Sequence, residues 1–374
     1  MLKILHVAQH LRAGGTMQMA ADLACALRQR GDSHNIVLSP ANELVSKLLT
    51  AGVEHRLCRI PNLLNGLAEL HRLRGLVRSL RPHIIQVYGT VAAIFASAAC
   101  SGLKEEKPRI VGVLTAYPRT GCSLFRKSCD AVVTISKHLR QESLKSCFKH
   151  HRKDLLLIPY GVNEKQCFPA FPFTADKQEQ WRTSQPEARN RLTLCIPGAI
   201  SPLHGLEDLV PILSTLLHQG IPTHAFIAGD SRKADPLYTE QLKNKFAAAN
   251  LTEHISWIGA RPDLREVLCA CDITLSLTRR PATYDRPVLE ALALGRPVLG
   301  YDHGVVGELL EAFLPEGRVA PGDAAAMADT IIQWHTYRPS TLTELPAPYR
   351  ISDTAESFMQ LYRSLLGHTE SGHS

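Results

Sequence analysis

The sequence predicts an α/β protein built from two doubly wound domains, each a parallel sheet with helices on both faces. Three observations carry this. Roughly a dozen short apolar runs alternate with helical patterns along the 374 residues. The alternation breaks at residues 166–190, which are rich in Pro, Gln and charge and have no apolar period. A chain of this length is also long for a single core. The expected organisation is a first domain at 1–165, a linker at 166–190 and a second domain at 191–345. A C-terminal helix at 346–366 and a frayed polar tail at 367–374 complete it.

Charged residues make up 21% and apolar ones 45%, ordinary values for a soluble globular protein. No apolar run approaches the roughly 20 residues of a membrane span. Residues 1–8 read as a first strand rather than a signal peptide. The ten cysteines include no C-x-x-C pair, and Cys269 and Cys271 are two apart. That scatter suits buried cytosolic thiols better than metal ligands or disulfides. The net charge of +7 is uneven: residues 1–165 hold 24 Lys and Arg against 11 Asp and Glu, whereas the rest is net acidic. A basic first half calls for an anionic partner, such as a bilayer face, a phosphorylated saccharide-lipid or nucleic acid.

In the first half, the strand at 2–8 runs into Gly14-Gly15 and then a helical pattern through Ala20, Leu23, Ala24 and Leu27. A strand, a glycine pair and a helix start suit close ligand approach, although such a pair by itself is more often only a turn. Strand patterns follow at 35–39, 54–58, 83–87, 109–114, 131–135 and 155–158, with helical patterns at 43–51, 63–80 and 91–100. The 63–80 pattern sets Leu63, Leu67, Leu70, Leu73, Val77 and Leu80 on one stripe, with His71, Arg72, Arg74, Arg78 and Arg81 on its other side. It reads either as a surface helix with a solvated basic face or as a membrane-surface contact. Ser136 is placed to cap the next helix. Lys145, Lys149, His150, His151, Arg152 and Lys153 form a basic cluster with only Phe148 interleaved, which fits no known nucleic-acid module.

In the second half, a strand at 192–197 enters a turn from Gly198 to Gly205, followed by a helix through Leu209, Ile212, Leu213 and Leu216. Strands at 225–229, 254–259, 273–277 and 317–320 follow, with helices at 236–248, 263–271, 324–335 and 353–366. Residues 280–304 are the most informative. Pro287 suits a first helical turn, Leu289, Leu292 and Ala293 fall at helical spacing, and Gly295 and Pro297 end the helix. Residues 298–301 form a buried strand pattern. Glu290 is a carboxylate in an apolar helix, near the positive end of its dipole, placed to accept hydrogen bonds from sugar or ribose hydroxyls.

Tyr284, Arg286, Glu290, Ala291, Gly295, Pro297 and Val298 together resemble the donor-binding segment of the retaining glycosyltransferases of family 4. Gly14-Gly15, the Asp130 to Ser136 strand, Tyr160-Gly161-Val162-Asn163 and Trp257-Ile258-Gly259 extend the resemblance over nearly the whole chain. It implies the GT-B arrangement of two Rossmann-like domains facing across a cleft, a C-terminal helix crossing back to the first domain, and transfer with retention and no metal or other cofactor. It implies that Glu290 meets the ribose, that Arg286, Gly198, His204 and Gly304 line the donor, and that Gly14 and Gly15 line the phosphate and acceptor side. It names no catalytic residue. The sequence departs from the pattern at Ala116 and Gln86, where related enzymes carry histidines, and at Ala199 and His204, which stand for a cationic pyrophosphate clamp. Ala282 replaces the first carboxylate, Asp285 a glycine and Val305 a second glycine. Arg279, Arg280 and Arg286 are the candidates to replace the clamp, since guanidinium suits phosphate.

The leading expectation is a glycosyltransferase moving a sugar from a nucleotide-sugar to a lipopolysaccharide or other cell-surface glycan or glycolipid. The protein would be cytoplasmic, with peripheral contact at the inner membrane and no nucleic-acid partner. The alternatives are a catalytically degenerate binding or scaffolding protein on the same fold, and a nucleic-acid binder using the basic half.

Overall fold

Strands buried on both faces explain the nearly continuous apolar runs. In the computed structural model, the first sheet comprises β1 (Leu2–Val7), β2 (Ser33–Ser39), β3 (Glu54–Leu57), β4 (Ile84–Tyr88), β5 (Arg109–Leu114), β6 (Ala131–Thr134) and β7 (Leu155–Leu157). Its order is β3-β2-β1-β4-β5-β6-β7, and its pairs are parallel. The structure describes residues 1–8, 15–40, 44–58, 66–103, 107–117, 122–146, 148–149, 155–168, 175–229 and 235–367. The helices of this unit are α1 (Gly15–Arg30), α2 (Val45–Thr50), α3 (Gly66–Leu80), α4 (Thr90–Ala99), α5 (Cys122–Lys127) and α6 (Lys137–Lys145). As expected, Ser136 caps α6, its side chain accepting from the Leu139 amide. The short α5 has no counterpart in the sequence reading.

Residues Met1–Asn163 and Pro346–Ser374 form one unit, and Glu164–Leu345 form the other. The second unit contains α7 (Ala175–Ser184) and the sheet β8 (Leu192–Pro197), β9 (Thr223–Ala228), β10 (Ile255–Trp257), β11 (Ile273–Ser276), β12 (Val298–Tyr301) and β13 (Arg318–Val319). This sheet has the order β10-β9-β8-β11-β12-β13, and its pairs are again parallel. Around it lie α8 (Leu209–His218), α9 (Pro236–Ala248), α10 (Leu264–Ala270), α11 (Arg286–Ala293), α12 (Gly304–Phe313) and α13 (Ala324–Thr336). Residues 166–190, read as a linker, therefore include a helix. Its Trp181 packs edge-on against Phe226 of β9 with ring centroids 5.0 Å apart. One aromatic anchor in a polar segment leaves no apolar period to detect.

The last helix, α14 (Ile351–Leu365), packs on α1 and buries Phe358, Met359 and Tyr362. The chain enters it through a tight crossing. A Cβ on Gly161 would lie 2.3 Å from the Arg350 carbonyl carbon, so only glycine fits there. The Gly161 amide donates to Thr354 Oγ1 at 3.0 Å, and that hydroxyl lies 3.0 Å from the Pro159 carbonyl oxygen. Among the described residues, eight cysteines are free thiols, seven of them buried. Cys122 is disulfide-bonded, contrary to the expectation of thiols throughout, because pairing depends on where the chain folds back and not on spacing.

A polar layer lies inside the first unit. His6, Asn35 and Gln86 are fully buried; His6 Nε2 lies 3.1 Å from Asn35 Oδ1, and Gln86 Nε2 donates to Tyr88 Oη at 2.8 Å. Burial pushes the His6 imidazole down to about 4, against the opposing effect of its hydrogen bond to Asn35 Oδ1. A histidine held neutral in the fold contributes stability that is complete above its unfolded value near 6.5 and is lost as pH falls from there through the folded value. The whole loss is roughly 3 kcal/mol. Urea unfolding across that window is expected to show the decline, and His6→Gln to make it shallower by about that amount. An unchanged profile in the variant would show that His6 is not held neutral.

Candidate donor site

In a parallel sheet, ligands gather at the carboxyl ends of the strands, where the strand order reverses. In the second unit that point lies between β8 and β11, since β9 and β10 run outward on one side and β12 and β13 on the other. The turns after β8 and β11 are locked together there. The Arg279 amide donates to the Leu203 carbonyl at 2.9 Å. Gly205 has φ +61°, and a Cβ on it would lie 2.2 Å from the Leu277 carbonyl oxygen, so its glycine is obligatory on both counts.

Gly198 opens the first turn with φ +138°, and the His204 ring covers it. His204 Nδ1 lies 2.8 Å from Ser201 Oγ. Burial lowers the His204 pKa, so at neutral pH the ring is a neutral hydrogen-bonding group rather than a cation. Ala199 beside it is exposed. The clamp positions of the turn thus carry no charge.

Cations come from elsewhere on the rim. Arg279 Nη2 donates to Asp208 Oδ1 at 2.6 Å while nearly half of the Arg279 side chain stays exposed. Asp208 Oδ2 accepts from the Tyr301 hydroxyl at 2.6 Å. The carboxylate at the start of α8 therefore joins the ends of β11 and β12 and aims one arginine. Arg280, next in the chain, is exposed. Sequence reading missed Asp208 and Tyr301; an acid after a glycine turn and a tyrosine ending an apolar strand look ordinary alone.

The structure brings Glu290 and Arg286 together as an ion pair, which the sequence reading did not foresee. Glu290 is 4% exposed. Its Oε1 accepts from Arg286 Nε at 2.9 Å and lies 3.6 Å from Arg265 Nε, in the first turn of α10. The spacing of Arg286 and Glu290 across one helical turn was visible in sequence; Arg265 was not. Buried Cys167 belongs to the same cluster, its thiol pushed up to about 12 by burial and then by the Glu290 charge. Arg286 thus serves Glu290 first and leaves only Glu290 Oε2 clear of the two guanidinium contacts.

Asp285, at a place the pattern gives to glycine, caps α11. Its side chain accepts from the Val288 amide at 3.2 Å and from Ser276 Oγ at 3.2 Å. Burial raises its pKa, and these two bonds oppose the rise. On the adjoining turn, Gly304 has φ +58°, and a Cβ there would lie 2.6 Å from the Ala282 amide nitrogen. The Val305 amide donates to the Ala282 carbonyl at 2.9 Å. Val305 lies inside α12 without a positive φ, so its branched side chain imposes no backbone strain. Ala282 and Val305, two departures 23 positions apart, therefore meet in one closed contact. Gly15 is the first residue of α1, and Ala116 is exposed after β5. Gly14 lies outside the described residues. Among the described residues, no group of three or more His, Cys, Asp or Glu is arranged to hold a metal.

Residues 13–166 match the family described as Glycosyltransferase Family 4. Residues 177–344 match that described as Glycosyl transferases group 1. The chain is similar to the lipopolysaccharide core biosynthesis mannosyltransferase LpsB of Rhizobium meliloti, with 24% identity over 219 residues. That similarity covers 56% of this chain and 61% of the relative's length. A solved glycosyltransferase from Rickettsia africae ESF-5 matches with a TM-score of 0.83 at 19% identity, over 98% of this chain and 99% of that one. Anabaena Alr3699/HepE in complex with UDP-glucose matches with a TM-score of 0.77 at 16% identity, over 99% of this chain and 100% of that one. These two structural similarities establish the fold.

Glu290→Ala would leave the Arg286 guanidinium, 14% exposed, beside an empty space. Breaking a buried pair from one side costs roughly 3–5 kcal/mol. Urea unfolding is expected to show a loss in that range, and a smaller one for Glu290→Gln, which keeps the shape and an acceptor oxygen. A loss within the range of exposed pairs, about 0–1 kcal/mol, would mean that solvent reaches the pair.

Proposed function

The chain belongs to the family 4 glycosyltransferases, with the GT-B fold of two Rossmann-like units, and from that membership we propose that it moves a sugar from a nucleotide-sugar to a lipopolysaccharide or other cell-surface glycan or glycolipid. The observation that carries the reading is the rim of the second sheet. A glycine turn, a neutral imidazole, a carboxylate-aimed arginine and a glycine-opened helix lie around the switch point. Together they offer hydrogen-bond donors and positive charge to a diphosphate, and Glu290 Oε2 can accept from a ribose hydroxyl. The UDP-glucose bound by Alr3699/HepE supports a nucleotide-sugar as donor. The lipopolysaccharide core role of LpsB supports the acceptor class. The basic first half of the chain suits an anionic acceptor such as a phosphorylated saccharide-lipid.

The reaction proposed is transfer with retention and without a metal. The donor phosphate itself takes the acceptor hydroxyl proton as the glycosidic bond breaks and the acceptor oxygen bonds to the same face of the sugar. The protein positions the two substrates and stabilises charge on the departing nucleoside diphosphate. Arg279 and Arg280 are the residues assigned to that charge, with His204 as a neutral donor. Gly15 belongs to the phosphate and acceptor side.

A second reading, a degenerate binding or scaffolding protein, is favoured by one observation. The Val305 amide, at a place the family pattern gives to glycine, is spent on the Ala282 carbonyl, and Ala282 lacks the carboxylate of that pattern. Calorimetric titration with UDP-, GDP- and ADP-sugars separates the two. Micromolar binding is expected for one nucleotide class, with affinity lowered about tenfold or more in Arg279→Ala, the effect of losing one charge-assisted hydrogen bond. Absence of binding by folded protein would overturn the transferase reading in favour of the scaffold.

A further inference from the structure

Two guanidinia converge on one oxygen of Glu290, and neither pairs with the other oxygen. Arg286 Nε donates to Oε1 at 2.9 Å, and Arg265 Nε lies 3.6 Å from the same atom. Arg286 belongs to the same helix, one turn before Glu290. Arg265 comes from the first turn of α10, which packs on α11. Buried Cys167 adds no second negative charge, since burial first, and then the Glu290 charge, push its thiol up to about 12. The cluster therefore sets two positive charges against one negative charge.

An ion pair that served only to join two helices would take another form. A guanidinium facing a carboxylate frequently spans both oxygens as a fork, and two parallel hydrogen bonds then hold the pair. Here Arg265 Nε is buried and makes no hydrogen bond. A buried donor without an acceptor costs stability that a fork would have spared. What the arrangement gains is direction. Contacts from two different helices on Oε1 restrict the rotation of a buried carboxylate and keep Oε2 as the oxygen left to a ligand. With Arg286 alone, the carboxylate could turn and meet that guanidinium with both oxygens.

We propose that Arg265 is a positioning residue that, acting through Glu290, makes the site select a nucleotide with an intact ribose over its deoxy counterpart. The inference rests on the donor reading of this site and adds the residue that sets its discrimination. A ribose offers two neighbouring O–H donors to the charged Oε2. A deoxyribose in the same place leaves that oxygen facing a carbon at one of the two positions. Sites built to hydrogen-bond a hydroxyl reject the analogue that lacks it, because their own buried polar group is then left unpaired.

Calorimetric titration of the full chain with UDP, GDP and ADP, each beside its 2′-deoxy and 3′-deoxy forms, tests this. In the nucleotide class that binds, at least one deoxy form is expected to bind about tenfold or more weakly, the effect of one hydrogen bond to a charged group. Arg265→Gln should bring that ratio within about twofold by weakening the ribonucleotide, with the deoxy form bound as by the parent. A residue that only supported the fold would weaken both forms alike. Arg265→Lys, which keeps the charge, should retain part of the ratio. Adding Arg265→Gln to Glu290→Gln should change the ratio no further, because Arg265 acts through that carboxylate. A parent that binds both forms equally, or an Arg265→Gln variant that keeps the full ratio, would overturn the inference and leave the donor reading intact. Absence of binding by any of the nucleotides to folded protein would remove the donor reading, and this inference with it.

Discussion

Asp208 is the group on which the second unit's site depends. It lies where the turn after β8 becomes α8, and it accepts Arg279 from beyond β11 and Tyr301 from β12. Three strand ends across the switch point are thereby tied to one carboxylate. Hydrogen bonds to a charged group are worth about 1.5–3 kcal/mol each, and more is at stake when the charge is largely buried. Asp208 is 9% exposed, so its charge depends on both partners. The arrangement also makes Arg279 directional: one edge of the guanidinium is held, and the rest faces solvent at the rim.

This changes how the missing clamp is understood. The turn after β8 carries Ala199 and His204, and burial keeps that imidazole neutral. Charge at the rim instead comes from the turn after β11, at Arg279 and Arg280. Arg286, which the sequence offers equally, belongs to Glu290. Both guanidinia are held by a buried carboxylate through one nitrogen; the difference is exposure, 46% of the Arg279 side chain against 14% of that of Arg286.

The two altered positions Ala282 and Val305 also look different in the fold. As isolated substitutions each removes a feature of the family pattern. In the structure they face each other, and their backbone hydrogen bond closes the turn after β11 onto the start of α12. Gly304 is required for that closure, because any side chain would strike the Ala282 backbone.

Most of the strands and helices were legible in the sequence, because buried parallel strands read as apolar runs and amphipathic helices repeat every 3.6 residues. The cap at Ser136 and the helix stop at Gly295 are likewise local properties that neighbouring residues determine. The short α5 and the helix inside 166–190 escaped, the latter because Trp181 and a Gln178 hydrogen bond to the Ala270 carbonyl hold it without an apolar period. What only the tertiary structure decided is which distant groups meet: Asp208 with Arg279 and Tyr301, Arg265 with Glu290, and Ala282 with Val305. The physical reason is that periodicity records the face a residue presents, while ion pairs, hydrogen bonds and shared edges depend on the order in which strands pair, and that order joins residues far apart in the chain.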